Sequence, residues 1–357
     1  MMRSADISSL GGKKILMRVD FDVPVREGMI QESYRVRKQA EAIGQLARQK
    51  AHVLLVAHIS AIPSFATIQA QLSELVGYDL GLIRTLEEIQ DFLSGETKIA
   101  LLENIRMWPG EEANDTEFAR QLSAGFDTYV NNAFAVAHRE HASVAAITTH
   151  LDSYAGPLVT SETEQLASAV SALHKVVVMG GAKASTKIPV IKNLLATSDK
   201  ILVGGVIAND FLKARGQDVQ QSVVDENAAE LLAGIDLSDA RLVIPEDFNI
   251  SDGKFLDIGS KSIEKFSAIL RLSKVIVWNG PMGKFEDPQF MTATEAVAKA
   301  IIDSGALSII GGGDTISAVD RLNLVDSFTF VSTGGGAMLA FLAGQQLPAL
   351  TALGYYG

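Results

Sequence analysis

The chain contains no cysteine. That excludes disulfides, thiolate metal sites and a cysteine nucleophile. No uninterrupted apolar stretch approaches the roughly 18 residues of a membrane span. The opening residues, MMRSADISSLGGKK, lack the apolar segment of a secretory signal. These absences together lead us to expect a cytoplasmic protein with no membrane partner. Positive charge is in deficit as well: 31 Lys and Arg face 42 Asp and Glu, a net charge of −11. Such a balance argues against non-specific binding to nucleic acid. No G-x-G-x-x-G follows the first strand-like run, which disfavours a nicotinamide-dependent oxidoreductase. His138 and His141 lack the HExxH spacing of a zinc site.

What is present is ample apolar material, 47% of 357 residues, enough for two domains of about 150–200 residues each. Short β-branched runs recur down the chain and stop abruptly at glycine or polar residues. KKILMRVDFD (13–22), AHVLLVAHIS (51–60), TKIALLENIR (97–106) and FDTYVNNAFA (126–135) form a first set. KVVVMGGAK (175–183), KILVGGVIAND (200–210), RLVIPEDF (241–248), KVIVWNGPMG (274–283), LSIIGGGD (307–314) and FTFVSTGGG (328–336) form a second. Continuous apolar runs suit strands buried on both faces of a parallel sheet. Helical patterns lie between them, as in 34–49, where Val36, Ala40, Ile43 and Ala47 recur at helical spacing. The alternation predicts an α/β protein with ligands beyond the carboxyl ends of its strands. The stretch 161–174 reads as one helix joining the two domains.

The two sets carry different chemistry at those ends. The second set ends in glycine clusters: GGAK, GGVIAND, GGGDT and STGGG. Each alone reads either as a tight turn or as a place where bare backbone N–H groups reach a phosphate; four in one half favour phosphate. MGGAKASTKIPVIKNLL (179–195) does not have P-loop spacing. There Ser185 or Thr186 is expected to cap a helix with Pro189 in its first turn, which sets Lys187 at the helix's positive end. Asp314 reads either as an N-cap or as an oxygen ligand for Mg²⁺ on a nucleotide. The first set ends instead in Arg18, Asp20, His58, Arg106 and Arg139, with Arg35 at a helix start. Singly these read as surface ion pairs; together they suit a small, multiply charged acid. Without an obvious nucleophile–base pair, phosphoryl transfer fits this inventory best.

In this order the motifs MRVDFDVP (17–24), LLENIRMWPGEE (101–112), NNAFAVAHREHAS (131–143), GGAKASTKI (180–188), VWNGPMGKFE (277–286), IGGGDT (310–315) and STGGGA (332–337) resemble phosphoglycerate kinase. The resemblance runs from about residue 10 to 353. It implies two Rossmann-like domains with parallel sheets, helices on both faces and a hinge between the lobes. The acid-substrate domain is then 1–160, the linker helix 161–174 and the nucleotide domain 175–340, with 341–357 returning to the first. It implies reversible phosphoryl transfer between 1,3-bisphosphoglycerate and ADP, with Mg²⁺ and ATP or ADP, by a monomer. Arg18, Asp20, Asp22, Arg35, His58, Arg106 and Arg139 match the acid-binding positions. Gly181, Ala182, Lys183, Lys187, Gly205, Asn279, Pro281, Gly283, Glu286, Gly312, Gly313, Asp314 and Thr315 match the nucleotide-binding positions, with Asp314 toward the metal. Arg35, Lys187, Gly335 and Gly336 match those that accompany the transferred group.

Departures gather in the acid half. The family's HLGRP stands here as HISAIP (58–63), with Ala61 in place of the arginine and Ser60 in place of the glycine. Asp22 stands where the family has asparagine, and Asn132 where it has aspartate. Val206 and Ser260 are smaller changes on the nucleotide side. A charge-assisted hydrogen bond contributes roughly 1.5–3 kcal/mol, so one lost arginine predicts about 10- to 100-fold weaker acid binding. Asp22 is expected to worsen this unless Asn132 compensates for its charge. Two alternatives follow: a related carboxylate kinase with a changed acceptor, or a non-catalytic nucleotide-binding paralogue.

Overall fold

The apolar runs become the inner strands of two parallel sheets. A computed structural model describes residues 2–357; Met1, with which the expected first domain begins, lies outside them. One compact unit ends at Thr163 and recovers Gln346–Gly357, and Glu164–Gln345 forms the other. The Ala349 N–H donates to the Ala137 carbonyl at 3.1 Å within the first unit.

In that unit β1 (Lys14–Arg18) is followed by a small hairpin, β2 (Val25–Arg26) and β3 (Met29–Ile30). Then come β4 (His52–Val56), β5 (Gly81–Ile83), β6 (Ile99–Leu102), β7 (Thr128–Asn131) and β8 (Ser153–Ala155). The sheet runs β5-β6-β4-β1-β7-β8, every pairing parallel. Alternate residues of one strand feed opposite cores: Ile15 and Met17 enter one cluster, Leu16 the other. That two-sided burial is why these runs show no polar alternation. The Tyr34–Arg48 helix packs Val36, Ile43 and Leu46 inward.

The chain leaves this unit inside a helix spanning Pro157–Ser171, so the helix starts before the expected residue 161. Proline at the first helical position removes an N–H that had no helical partner anyway. The next donor, Leu158 N–H, is received by the Asn132 side-chain oxygen at 3.0 Å. At the other end Lys175 Nζ donates to the carbonyls of Val170 and Ala172 at 2.8 and 2.7 Å, a cation on a helix C-terminus.

The second unit contains β9 (Lys175–Met179), β10 (Ser198–Val203), β11 (Leu242–Val243), β12 (Phe248–Ser251), β13 (Lys254–Ile258), β14 (Val275–Asn279), β15 (Leu307–Gly311) and β16 (Phe330–Ser332). Its parallel sheet runs β11-β10-β9-β14-β15-β16. Strands step outward from β9 on one side and then restart at β14 on the other, so the chain direction switches between those two. Ligands in such sheets bind at this point, beyond the carboxyl ends. The ends are level: Val203 and Asn279 both face Met179, Gly311 faces Asn279, and Ser332 faces Gly311. β12 and β13 form an antiparallel hairpin whose turn, Asp252 and Gly253, takes positive φ at both residues.

Candidate active site

Beyond the switch point, Gly180 and Gly280 let two backbones meet. Gly180 N–H donates to the Asn279 carbonyl at 2.9 Å, and Gly181 N–H to that of Pro281 at 2.8 Å. A Cβ at Gly180 would stand 2.1 Å from the Pro281 oxygen, and one at Gly280, where φ is +93°, 2.1 Å from the Gly180 oxygen. No other residue fits either place.

This crossing opens onto a cavity of about 300 Å³. Three helices begin at it: Ala184–Leu195, Gly313–Arg321 and Gly336–Leu342. The first-turn N–H groups of each have no partner within their helix, and the dipoles set partial positive charge there. Lys183 and Lys187 add full charges to the same wall. Lys187 is only 6% exposed. Burial pulls its ammonium down to about 8, with Asp314 opposing and Lys183 reinforcing that fall. An anion in the cavity would reverse the cost.

A second cavity of about 260 Å³ adjoins, sharing Ala182 and Asp314 with the first. Val206, Val223, Phe255, Leu256, Pro281 and Phe285 make it largely apolar, with Glu286 at the rim. An apolar slot opening into a cationic cradle has the two-part chemistry of a nucleotide.

Some expected contacts are scaffold instead. Asn279 Nδ2 donates to the Gly311 carbonyl at 2.8 Å, and Thr315 Oγ1 accepts from Gly280 N–H at 2.7 Å. The helix after GGAK starts at Ala184 with Lys183 at its N-cap, so Ser185 and Thr186 do not cap it. Pro189 accordingly lies in the helix interior rather than its first turn. Gly312, not Asp314, occupies the N-cap of its helix, leaving the Asp314 carboxylate exposed.

In the first unit the charged side chains converge beyond β1, β4, β6 and β7. Arg18 is 1% exposed. Its guanidinium donates to the Val19 and Val56 carbonyls at 2.6 and 3.1 Å and to Ser143 Oγ at 3.0 Å, and approaches His58 Nδ1 at 3.1 Å. A guanidinium only donates, so Nδ1 accepts and the His58 ring proton lies on Nε2, facing Asp22 Oδ2 at 3.2 Å. Arg139 Nη1, 3.3 Å from that nitrogen, is a donor beside a donor. Burial lowers His58 to about 4 despite the Asp22 bond, and Arg18 adds to the fall. The ring is neutral at pH 7.

Arg35 Nη1 lies 3.3 Å from the Asp22 backbone carbonyl and 3.8 Å from Asp20 Oδ2. Asp20 is buried and its carboxyl raised by that burial, while Arg35 opposes the rise. Arg106 Nη1 donates to Ser60 Oγ at 2.9 Å, with its Nε 3.2 Å from Glu112. Asn132 forms its hydrogen bonds away from Asp22. Its amide donates to Gln39 at 2.8 Å and its oxygen caps Leu158, so it is a buried structural residue. Ser60 and His58 hold Asp22 instead.

The family model for phosphoglycerate kinase matches residues 5–345. The chain belongs to the phosphoglycerate kinase family. Phosphoglycerate kinase of Dictyoglomus turgidum is 38% identical over 96% of each chain. That of Nostoc punctiforme is 38% identical over 99% of this chain and 97% of its own. Among solved structures, phosphoglycerate kinase from Coxiella burnetii superposes with a TM-score of 0.83 at 33% identity, covering 99% of both chains. The enzyme from Pyrococcus horikoshii OT3 gives 0.89 at 30%, covering 99% of this chain and 98% of its own.

The two cavities bring together Gly181, Ala182, Lys183, Lys187, Gly205, Asn279, Pro281, Gly283, Glu286, Gly312, Gly313, Asp314, Thr315, Gly335 and Gly336. The sequence reading missed the support beneath the arginines. Glu111, fully buried, accepts from Ser143 N–H at 2.8 Å and Ser143 Oγ at 2.6 Å, and Ser143 in turn receives Arg18. Glu103 accepts from Ser64 Oγ and Phe65 N–H, while Asn104 bonds both polar groups of the Ile59 backbone, holding the 58–65 loop. WPGEE gave no signal telling buried Glu111 from exposed Glu112. Phe255 and Val223 of the slot gave none.

Proposed function

We propose that the chain transfers a phosphoryl group reversibly between 1,3-bisphosphoglycerate and ADP, giving 3-phosphoglycerate and ATP in glycolysis. The convergence of three helix N-termini and Lys187 on one cavity beside an apolar slot carries this reading. The slot takes the nucleoside, with Glu286 toward the ribose hydroxyls, and the cradle takes the phosphates. The arginine cluster takes the acid.

In the direction of ATP use, an oxygen of the substrate carboxylate forms the new bond to phosphorus as the bond to the ADP oxygen breaks. The acceptor is ionised at pH 7, so no general base is needed. What the residues supply is alignment and charge. Lys187 and the first-turn N–H groups at Gly335 and Gly336 face the phosphate cavity and stabilise charge on the moving group. Arg35 does so from the acid side. Arg18 is buried, and we assign it to positioning His58 rather than to substrate contact.

Among the described residues no three His, Asp or Glu side chains cluster as a metal cage. One exposed carboxylate beside a phosphate cavity is, however, how Mg²⁺ is held when phosphates complete its shell. Asp314 is that ligand in our reading, and the ion supplies neutralisation of phosphate charge. The same reading has the protein act as a cytoplasmic monomer on small molecules. Among the described residues no helix is long and apolar enough to cross a membrane.

The test is a linked assay of ADP release from MgATP and 3-phosphoglycerate. Saturable turnover is expected, with a raised KM for the acid. Nucleotide binding without turnover would overturn the reading.

A further inference from the structure

The arginine cluster already holds an anion. The Asp22 carboxylate accepts from Ser60 N–H at 2.7 Å and Ser60 Oγ at 3.3 Å, and faces His58 Nε2 at 3.2 Å. Through Ser60 Oγ it is linked to the Arg106 guanidinium. Arg139 Nη1 lies beside the same His58 nitrogen, and Arg35 meets the Asp22 backbone. A backbone N–H, a hydroxyl, an imidazole N–H and flanking guanidinium groups form the donor set that recognises a carboxylate or phosphate. Here a side chain of the protein fills it. The carboxylate keeps 23% of its side chain exposed, so it sits on the solvent side of the cluster rather than beneath it.

We propose that Asp22 is an internal competitor of the acid substrate, occupying donors that an incoming anion must take, so that acceptor affinity is set by its displacement. The inference rests on reading the cluster as the acid site. Asp22 is ionised at neutral pH: burial would raise its carboxyl, but the His58 and Ser60 contacts hold it down at about 2. The competitor is therefore fully charged throughout the working range. It acts on binding, leaving the phosphate cradle of the other unit untouched.

Calorimetric binding of 3-phosphoglycerate to the full chain, with steady-state kinetics, separates the outcomes. Asp22→Asn keeps the shape and one acceptor oxygen for Ser60 N–H but removes the charge and the acceptor that faces His58 Nε2. It is expected to lower both Kd and KM for the acid at least tenfold, with kcat changed less than threefold. Asp22→Ser should shift Kd the same way. Unchanged or weaker binding in both variants, with wild-type melting behaviour, would overturn the inference while leaving the acid site in place. Arg139→Ala serves as the control. If it leaves 3-phosphoglycerate binding intact, the cluster is not the acid site and the inference falls with that reading.

Discussion

Replacing Lys187 by methionine should make the protein more stable and nearly inactive. The ammonium is buried against Gly181 and Gly280: a Cβ at either would stand 2.6 or 2.9 Å from Nζ. Held at about 8 where 10.5 is ordinary, a charged Lys187 costs the ligand-free protein roughly 3 kcal/mol. Methionine has similar length and no charge to desolvate. Allowing for the lost attraction to Asp314, we expect about 1–3 kcal/mol of added stability, several degrees in Tm. The pH dependence follows. Between about 8 and 10.5 the unfolded chain holds a proton on this lysine that the folded chain has released, so wild-type stability rises with pH across that window. The variant should lose that rise. Its kcat should fall about 10²- to 10³-fold, as when one preorganised transition-state donor is removed. Denaturant unfolding at pH 7 and 10, with kcat at saturating MgATP, tests both halves. A variant no more stable than wild type, or one keeping a tenth of its kcat, would refute the reasoning.

Other residues give separable outcomes. Gly280→Ala forces a side chain into positive φ against a backbone oxygen, and should cost at least about 1–3 kcal/mol in urea unfolding. Asn132→Ala removes a buried amide that bridges Gln39 and Leu158. It should cost about 1–3 kcal/mol in the same measurement with little change in acid KM, since Asn132 does not reach Asp22. Phe255→Ala opens the apolar slot and should raise the Kd for ADP severalfold while leaving that for 3-phosphoglycerate unchanged. His58 is neutral down to about 4 when folded, below its ordinary value near 6.5. The unfolded chain therefore binds more protons in between, and stability should fall on acidification through that window. His58→Asn should flatten that part of the profile.

Much of the fold was legible because two-sided burial writes itself as uninterrupted apolar sequence, as in KVVVM and KVIVW. The edge strands β5 and β8 were not. Each is three residues long and only partly buried on at least one face, so neither leaves an apolar run. The start at Ala184 escaped notice because Lys183 caps without a side-chain bond, whereas Ser185 and Thr186 carry the residue types that usually do. The glycine-rich loops were readable as places of close backbone approach through what glycine alone permits. The arginine cluster was readable only as charge. Sequence shows that Arg18 is cationic but not that its guanidinium is consumed by two carbonyls, Ser143 and His58. Nor does it show that Asp22 finds its partners at Ser60 and His58, nearly forty residues on, rather than at Asn132.

The central claim concerns where the phosphoryl group goes. Incubating the protein with Mg²⁺, 3-phosphoglycerate and ATP labelled in its terminal phosphate should yield label in an acid-labile acyl phosphate, and ADP should chase that label back into ATP. Label released only as inorganic phosphate, or left wholly in ATP, would contradict the account.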